Sequence, residues 1–277
     1  MTALRWEHAT EPPALAGGEV HVFLAAVNTL PAEALAAWLS DDERVRAERF
    51  HFARDRQCFV GTRGMLRGLL GRYLGVEPAA LRFAYGPRGK PSLVVEGEAG
   101  RMRFNVSHSG GLALLAFAWD RDLGVDIERE RLVPEYESIA RSHFSPRERA
   151  ALEGLAPAER PRAFFRCWTR KEAFIKATGD GLSFPLDEFE VTLAPGEPAR
   201  LLRIEGDEKE ARRWWLEDLE PAAGFAGALA VKGRPSRLAC WMWPDSLERS
   251  YGPRRERRQD DLQGGRESRG AVLDLAR

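Results

Sequence analysis

Asp126 and Glu128, one position apart in Gly124-Val-Asp-Ile-Glu128, stand ahead of Trp168-Thr-Arg-Lys-Glu-Ala-Phe-Ile-Lys176. On an extended strand, side chains two apart share a face, so the two carboxylates project together while Val125 and Ile127 turn into a core. In the second segment Phe164, Phe165, Trp168, Ile175 and Ala177 supply an apolar helix face, and Gly179 a C-terminal stop. Glu172 and Lys176, four apart, lie on one side of that helix a turn from each other. Packed across the strand, Glu172 completes an acidic cluster and Lys176 meets whatever anion a bound cation holds. Magnesium suits such donors, because it takes a few carboxylates, keeps waters and shares substrate phosphate oxygens. Taken singly, each segment also reads as a solvated strand end and an ordinary helix ion pair, both common on surfaces.

A third segment, Phe104-Asn-Val-Ser-His-Ser-Gly-Gly111, precedes the apolar run Leu112–Trp119. Read as a turn dense in hydroxyls and glycine, it can aim backbone N–H groups, the Ser107 hydroxyl and the His108 imidazole at a phosphate. A single histidine in a turn is as readily structural.

The three segments together resemble the 4′-phosphopantetheinyl transferases, in particular their long, monomeric class. The matching elements are Asn105-Val-Ser-His-Ser109, Gly124-Val-Asp-Ile-Glu128, Trp168 to Lys176, Gly179-Asp-Gly-Leu182 with Pro185-Leu186, and Gly86-Pro-Arg-Gly-Lys-Pro91 ahead of them. The resemblance runs from about Leu39 to about Val231. It implies transfer of the phosphopantetheine arm of coenzyme A to a serine of an apo acyl or peptidyl carrier protein, with release of adenosine 3′,5′-bisphosphate. By similarity Asp126, Glu128 and Glu172 are the expected magnesium ligands, and Lys176 a pyrophosphate contact. Ser107 and His108 are expected at the 3′-phosphate, with Lys90 and Arg46 near the nucleotide phosphates. Arg88 joins them only by its proximity to Lys90. The implied fold is α+β, a pseudo-dimer of two similar α/β halves with coenzyme A, the co-substrate, in the cleft between them.

The chemistry is compatible with that set. Displacement at phosphorus calls for charge stabilisation rather than a protein nucleophile, which a metal, Lys176 and His108 can supply. The attacking serine hydroxyl needs a proton acceptor, and Glu172 is the candidate, as ligand, base or both. Two other classes use the same residues: a binding module for coenzyme A or carrier protein without turnover, and a magnesium-dependent nucleotide hydrolase acting on water. Four intact charged residues argue against the first, and the lack of a further water-activating group in these segments argues against the second.

The chain has 277 residues, 44% hydrophobic, long enough for two modest domains. Its 42 basic and 42 acidic residues balance, which disfavours nucleic acid or a membrane surface as partner. Between Arg44 and Arg72, however, eight arginines face two acids; Arg56, Arg63 and Arg67 fall on one side of a helix, either solvated or set to dock an anion. Cys58, Cys167 and Cys240 lack metal or disulfide spacing and are expected as free thiols. Neither a leader segment nor an apolar run of roughly 20 residues is found, so a cytoplasmic protein is expected; that it is a monomer is what the resemblance implies.

Residues 1–120 are expected to form the first half, 121–246 the second, and 247–277, rich in charge and glycine, a disordered tail. Helices are expected around 31–39, 54–73, 145–153 and 158–177, the third opened by a Ser145-Pro-Arg-Glu148 capping box. Short echoes between Leu81–Pro87 and Phe189–Pro195, and between Leu114–Ala118 and Gly227–Val231, hint at duplication.

Overall fold

The computed structural model describes residues 4–8, 13–94, 97–131, 133–179, 181, 184–243 and the backbone of 271–274. Its first half opens with β1 (Glu7–His8) and β2 (Glu19–Ala26), then α1 (Ala32–Ala36), α2 (Asp41–Glu48) and the long α3 (Ala53–Leu74). The hairpin β3 (Phe83–Tyr85) and β4 (Pro91–Leu93) follows, then β5 (Met102–Ser109) and β6 (Leu112–Trp119). The second half holds β7 (Leu123–Arg129), α4 (Tyr136–His143), α5 (Pro146–Glu153) and α6 (Arg160–Thr178). It continues through β8 (Phe189–Val191), β9 (Leu201–Ile204), α7 (Glu208–Ala211), β10 (Trp214–Leu219) and β11 (Phe225–Lys232) to β12 (Arg237–Met242) and β13 (Ala271–Asp274).

The duplication is visible in the topology. In the first half β2 pairs with β6 and β6 with β5, all antiparallel; in the second, β7 pairs with β11 and β11 with β10 in the same sense. The long helix comes after β2 in the first half and after β7 in the second, and a two-stranded hairpin follows each helix, β3–β4 in one and β8–β9 in the other. The two sequence echoes fall on these equivalent strands, β3 with β8 and β6 with β11. The α+β pseudo-dimer is therefore the observed fold.

Apolar alternation sets the layers. On β2 and β6, Phe23, Ala25, Ala113, Leu115 and Phe117 pack against Leu66, Leu69 and Leu70 of α3. The opposite faces, Val22, Leu24, Leu114 and Ala116, meet Val125, Ile127, Leu229 and Val231 of the second sheet. Strands buried on both faces must be apolar at nearly every position, which explains the unbroken run in β6. Behind the second sheet α6 buries Phe164, Phe165, Phe174 and Ile175. The order of layers is helix, sheet, sheet, helix.

Three expectations are corrected. Phe104–Ser109 is strand, not turn: Gly110 and Gly111, at φ +57° and +89°, alone make the two-residue connection between β5 and β6. The second half does not keep all of 121–246, because β12 returns to lie parallel beside β2 in the first sheet. On α3, Arg67 is fully buried, with Nε 2.6 Å from Glu43 and its other nitrogens on Ser40, Pro78 and Leu81; Arg63 also faces Glu43. These two arginines hold α2, and Arg67 also the loop after α3, to α3, and only Arg56 of the three is exposed. The expected tail lies outside the described residues apart from 271–274, which pair antiparallel with β12.

Candidate active site

Gly124 lets α6 reach β7. A Cβ there would stand 2.2 Å from the Ala173 carbonyl oxygen and 2.4 Å from the Ala177 nitrogen, so only glycine permits this approach. Asp126 and Glu128 follow on the same face of the strand, and Glu172 and Lys176 lie on the helix surface that crosses it. Sequence reasoning named the two carboxylates without assigning Gly124 this part; a glycine two residues before an acid on a buried strand was the available signal. Gly179, at φ +83°, ends α6 as expected.

An open cleft of about 360 Å³ is lined by Val106, Ser107, His108, Asp126, Glu128, Trp168, Glu172 and Lys176. The structure thus brings together every expected metal and catalytic residue, with β5 of one half forming one wall and β7 and α6 of the other half forming the opposite one. The Lys176 ammonium lies 2.6 Å from Asp126 Oδ1 and donates to Ser107 Oγ at 3.0 Å. Ser107 Oγ donates to the same Asp126 oxygen at 2.7 Å, so its hydroxyl serves the carboxylate. Asp126 is almost fully buried, and among the described residues its Oδ2 has no hydrogen-bond partner. Burial and the charge of Asp126 push the carboxyls of Glu128 and Glu172 above their usual range; Lys176 counters this for both, as does Ser109 for Glu128. Among the described residues no three acidic, histidine or thiol side chains stand together as a group that could hold a metal ion as placed; Asp126, Glu128 and Glu172 are brought together as lining of the cleft.

His108 is exposed at the rim, yet partial desolvation of its ring and then the Lys176 charge hold its imidazole below the ordinary histidine value. The other expected nucleotide contacts are not among the lining residues. Lys90 reaches from the β3–β4 loop to the C-terminal end of α6, donating to the carbonyls of Lys176 at 2.5 Å and Ala177 at 3.0 Å, where a cation also meets the negative end of the helix. Arg88 is exposed beside Gly181. Arg46, exposed on α2, covers the Phe59 ring at 5.2 Å.

Two residues inside the Trp168 to Lys176 segment are structural. Arg170 is fully buried and clamps Asp218, with Nε–Oδ1 2.8 Å, together with the Thr192 carbonyl and hydroxyl. Lys171, equally buried, meets Glu148 Oε2 at 2.8 Å and donates to the carbonyls of Leu186 and Phe189. The expected capping box on α5 is present, and it delivers Glu148 to that ammonium.

Residues 122–230 match the model of the 4′-phosphopantetheinyl transferase superfamily, and residues 31–119 match that of the N-terminal part of 4′-phosphopantetheinyl transferases. The chain is 44% identical over 199 residues to the 4′-phosphopantetheinyl transferase HetI of Nostoc sp., covering 72% of this chain and 81% of that protein. It is 32% identical to the 4′-phosphopantetheinyl transferase Sfp of Bacillus subtilis over 58% of this chain and 69% of that one. To the human L-aminoadipate-semialdehyde dehydrogenase-phosphopantetheinyl transferase it is 29% identical, covering 65% and 62% respectively.

Proposed function

Since the chain belongs to the 4′-phosphopantetheinyl transferase superfamily, we propose that its cleft moves the 4′-phosphopantetheine arm of coenzyme A to a serine of an apo acyl or peptidyl carrier protein. Adenosine 3′,5′-bisphosphate leaves. The observation that carries this reading is the convergence of Asp126, Glu128, Glu172 and Lys176 on one cleft between the halves.

The donor set fits magnesium. Three carboxylates face one ammonium, two of them are raised by burial and then by the neighbouring Asp126 charge, and among the described residues the buried Asp126 Oδ2 has no partner; a divalent cation answers all three features. An open arrangement also matches a metal that keeps waters and substrate oxygens in its shell. Asp126, Glu128 and Glu172 are the residues that would hold it. When bound, the cation offsets negative charge on the pyrophosphate.

The chain's own residues supply the rest. Lys176 presents a cation at the floor of the cleft, held by Ser107 and Asp126, where phosphoryl oxygens accumulate charge during displacement. His108, its imidazole favoured in the neutral form, offers a hydrogen bond at the rim for the 3′-phosphate end of the nucleotide. Glu172, partly buried and of raised pKa, is the proton acceptor for the carrier serine. Arg46 and Lys90 remain candidates for nucleotide phosphates by similarity alone, and Arg88 by its proximity to Lys90.

The reading takes the protein as a cytoplasmic monomer of the holo-[acyl-carrier-protein] synthase type. One chain supplies both walls of the cleft, the three cysteines are free, and among the described residues no helix is long and apolar enough to cross a membrane. The test is whether adenosine 3′,5′-bisphosphate appears in step with modified carrier. Release that needs carrier supports transfer, and release without it indicates hydrolysis instead.

A further inference from the structure

β7 is an edge strand, laddered on one side to β11. Its other edge, carrying the N–H groups of Val125, Ile127 and Arg129, faces β5 of the first half, which belongs to a separate sheet. Side chains of β5 replace the missing ladder. Asn105 Oδ1 accepts from Val125 N–H at 2.9 Å, Ser107 Oγ from Ile127 N–H at 3.4 Å and Ser109 Oγ from Arg129 N–H at 3.1 Å. Each serine then donates its one hydrogen to the carboxylate one position earlier: Ser107 to Asp126 at 2.7 Å and Ser109 to Glu128 Oε2 at 2.8 Å. The period of two on β5 thus matches the period of two on β7, residue for residue across the seam.

We propose that Ser109 is a positioning residue that aims the Glu128 carboxylate into the cleft for cation binding, with Asn105 fixing the register of the seam. The inference rests on the magnesium reading above. Glutamate on a strand has three rotatable bonds and needs an external partner to hold one orientation. The Ser109 hydroxyl provides it while anchored in turn by the Arg129 N–H, so backbone, hydroxyl and carboxylate form one rigid chain. Ser107 makes the parallel contact but also accepts from Lys176, and its removal would disturb the cleft floor. Ser109 touches Glu128 alone among the cleft carboxylates, so its removal isolates the positioning effect.

The experiment measures binding of Mn²⁺ to the full chain in the presence of coenzyme A, by paramagnetic resonance titration, for wild type, Ser109→Ala and Ser109→Thr. Melting temperatures are taken alongside. Loss of a hydrogen bond that orients a ligand weakens metal affinity about 10-fold. Ser109→Ala should show that loss, together with a similar rise in the Mg²⁺ concentration needed for half-maximal transfer. Maximal turnover at saturating Mg²⁺ should be largely kept, and Ser109→Thr, which retains the hydroxyl, should restore affinity. Should Ser109→Ala prove too unstable, Ser109→Cys, a weak donor of similar size, should show the same weakening. Wild-type Mn²⁺ affinity in the Ala or Cys variant overturns the positioning role. Absence of Mn²⁺ binding by the wild type itself removes the magnesium reading and the inference with it.

Discussion

Glu172 and Lys171 are neighbours on α6 with opposite duties, and substitution separates them. Glu172 faces the cleft beside Asp126 and Glu128. Glu172→Gln keeps its size, so folding and coenzyme A binding should persist by calorimetry while transfer falls about 100-fold, roughly 3 kcal/mol of transition-state stabilisation. Unchanged turnover in that variant would take Glu172 out of the reaction. Lys171 faces inward to Glu148 with neither group exposed. Lys171→Met strands a buried carboxylate and should cost about 3–5 kcal/mol in urea unfolding, whereas Lys176→Met, at the partly exposed cleft floor, should lower transfer far more than stability. Equal stability losses in the two lysine variants would contradict this division.

At the scale of elements, the site depends on how closely α6 lies on β7. Gly124→Ala places a methyl against the Ala173 carbonyl and must lift the helix; a loss of about 1–3 kcal/mol is expected from such overpacking, with reduced transfer because Glu172 and Lys176 ride on that helix. Full activity with unaltered urea midpoint would show that the helix needs no such approach. Both elements were legible in the sequence, β7 from alternation and α6 from its apolar face and terminal glycine. β5 was not. Its Asn105, Ser107 and Ser109 resemble turn residues because they face the polar edge of β7 rather than a core, and only the Gly110-Gly111 pair marked where the turn lies. α2 escaped for a related reason: Asp-Asp-Glu-Arg-Val-Arg-Ala-Glu has no apolar stripe, and it is held by the buried Glu43 and Arg67 pair and a Ser40–Glu43 capping box. That box was the one local signal available. Lys90, expected near phosphate, also caps α6, a contact 86 residues distant that no local pattern encodes.

At the scale of the whole molecule, the pseudo-dimer was legible through the paired echoes and the family resemblance, but the return of β12 to the first sheet was not, since a short apolar strand does not name its partner. That return is packed around His21 of β2, which stacks edge-on against Trp241 of β12 and meets the Tyr73 hydroxyl of α3 at 2.7 Å. Burial depresses the His21 imidazole from 6.5 to about 4, against the opposing pull of Glu19. A depressed base is neutral in the fold and takes a proton more readily when unfolded. Its penalty is absent above about pH 6.5 and grows as pH falls to about 4, reaching about 3 kcal/mol. Unfolding free energy should therefore drop between pH 7 and pH 4.5, and His21→Gln should flatten that slope; parallel slopes in the two proteins would exclude His21 as the cause. The two halves exist to form one cleft, and the most direct measurement is of what that cleft produces. Intact-mass spectrometry of an apo carrier protein, after incubation with this protein, coenzyme A and Mg²⁺, should show a gain of one phosphopantetheine that disappears with EDTA or with the carrier serine changed to alanine. No gain on any of several acyl and peptidyl carriers, with coenzyme A still bound in a titration, would contradict the transferase account.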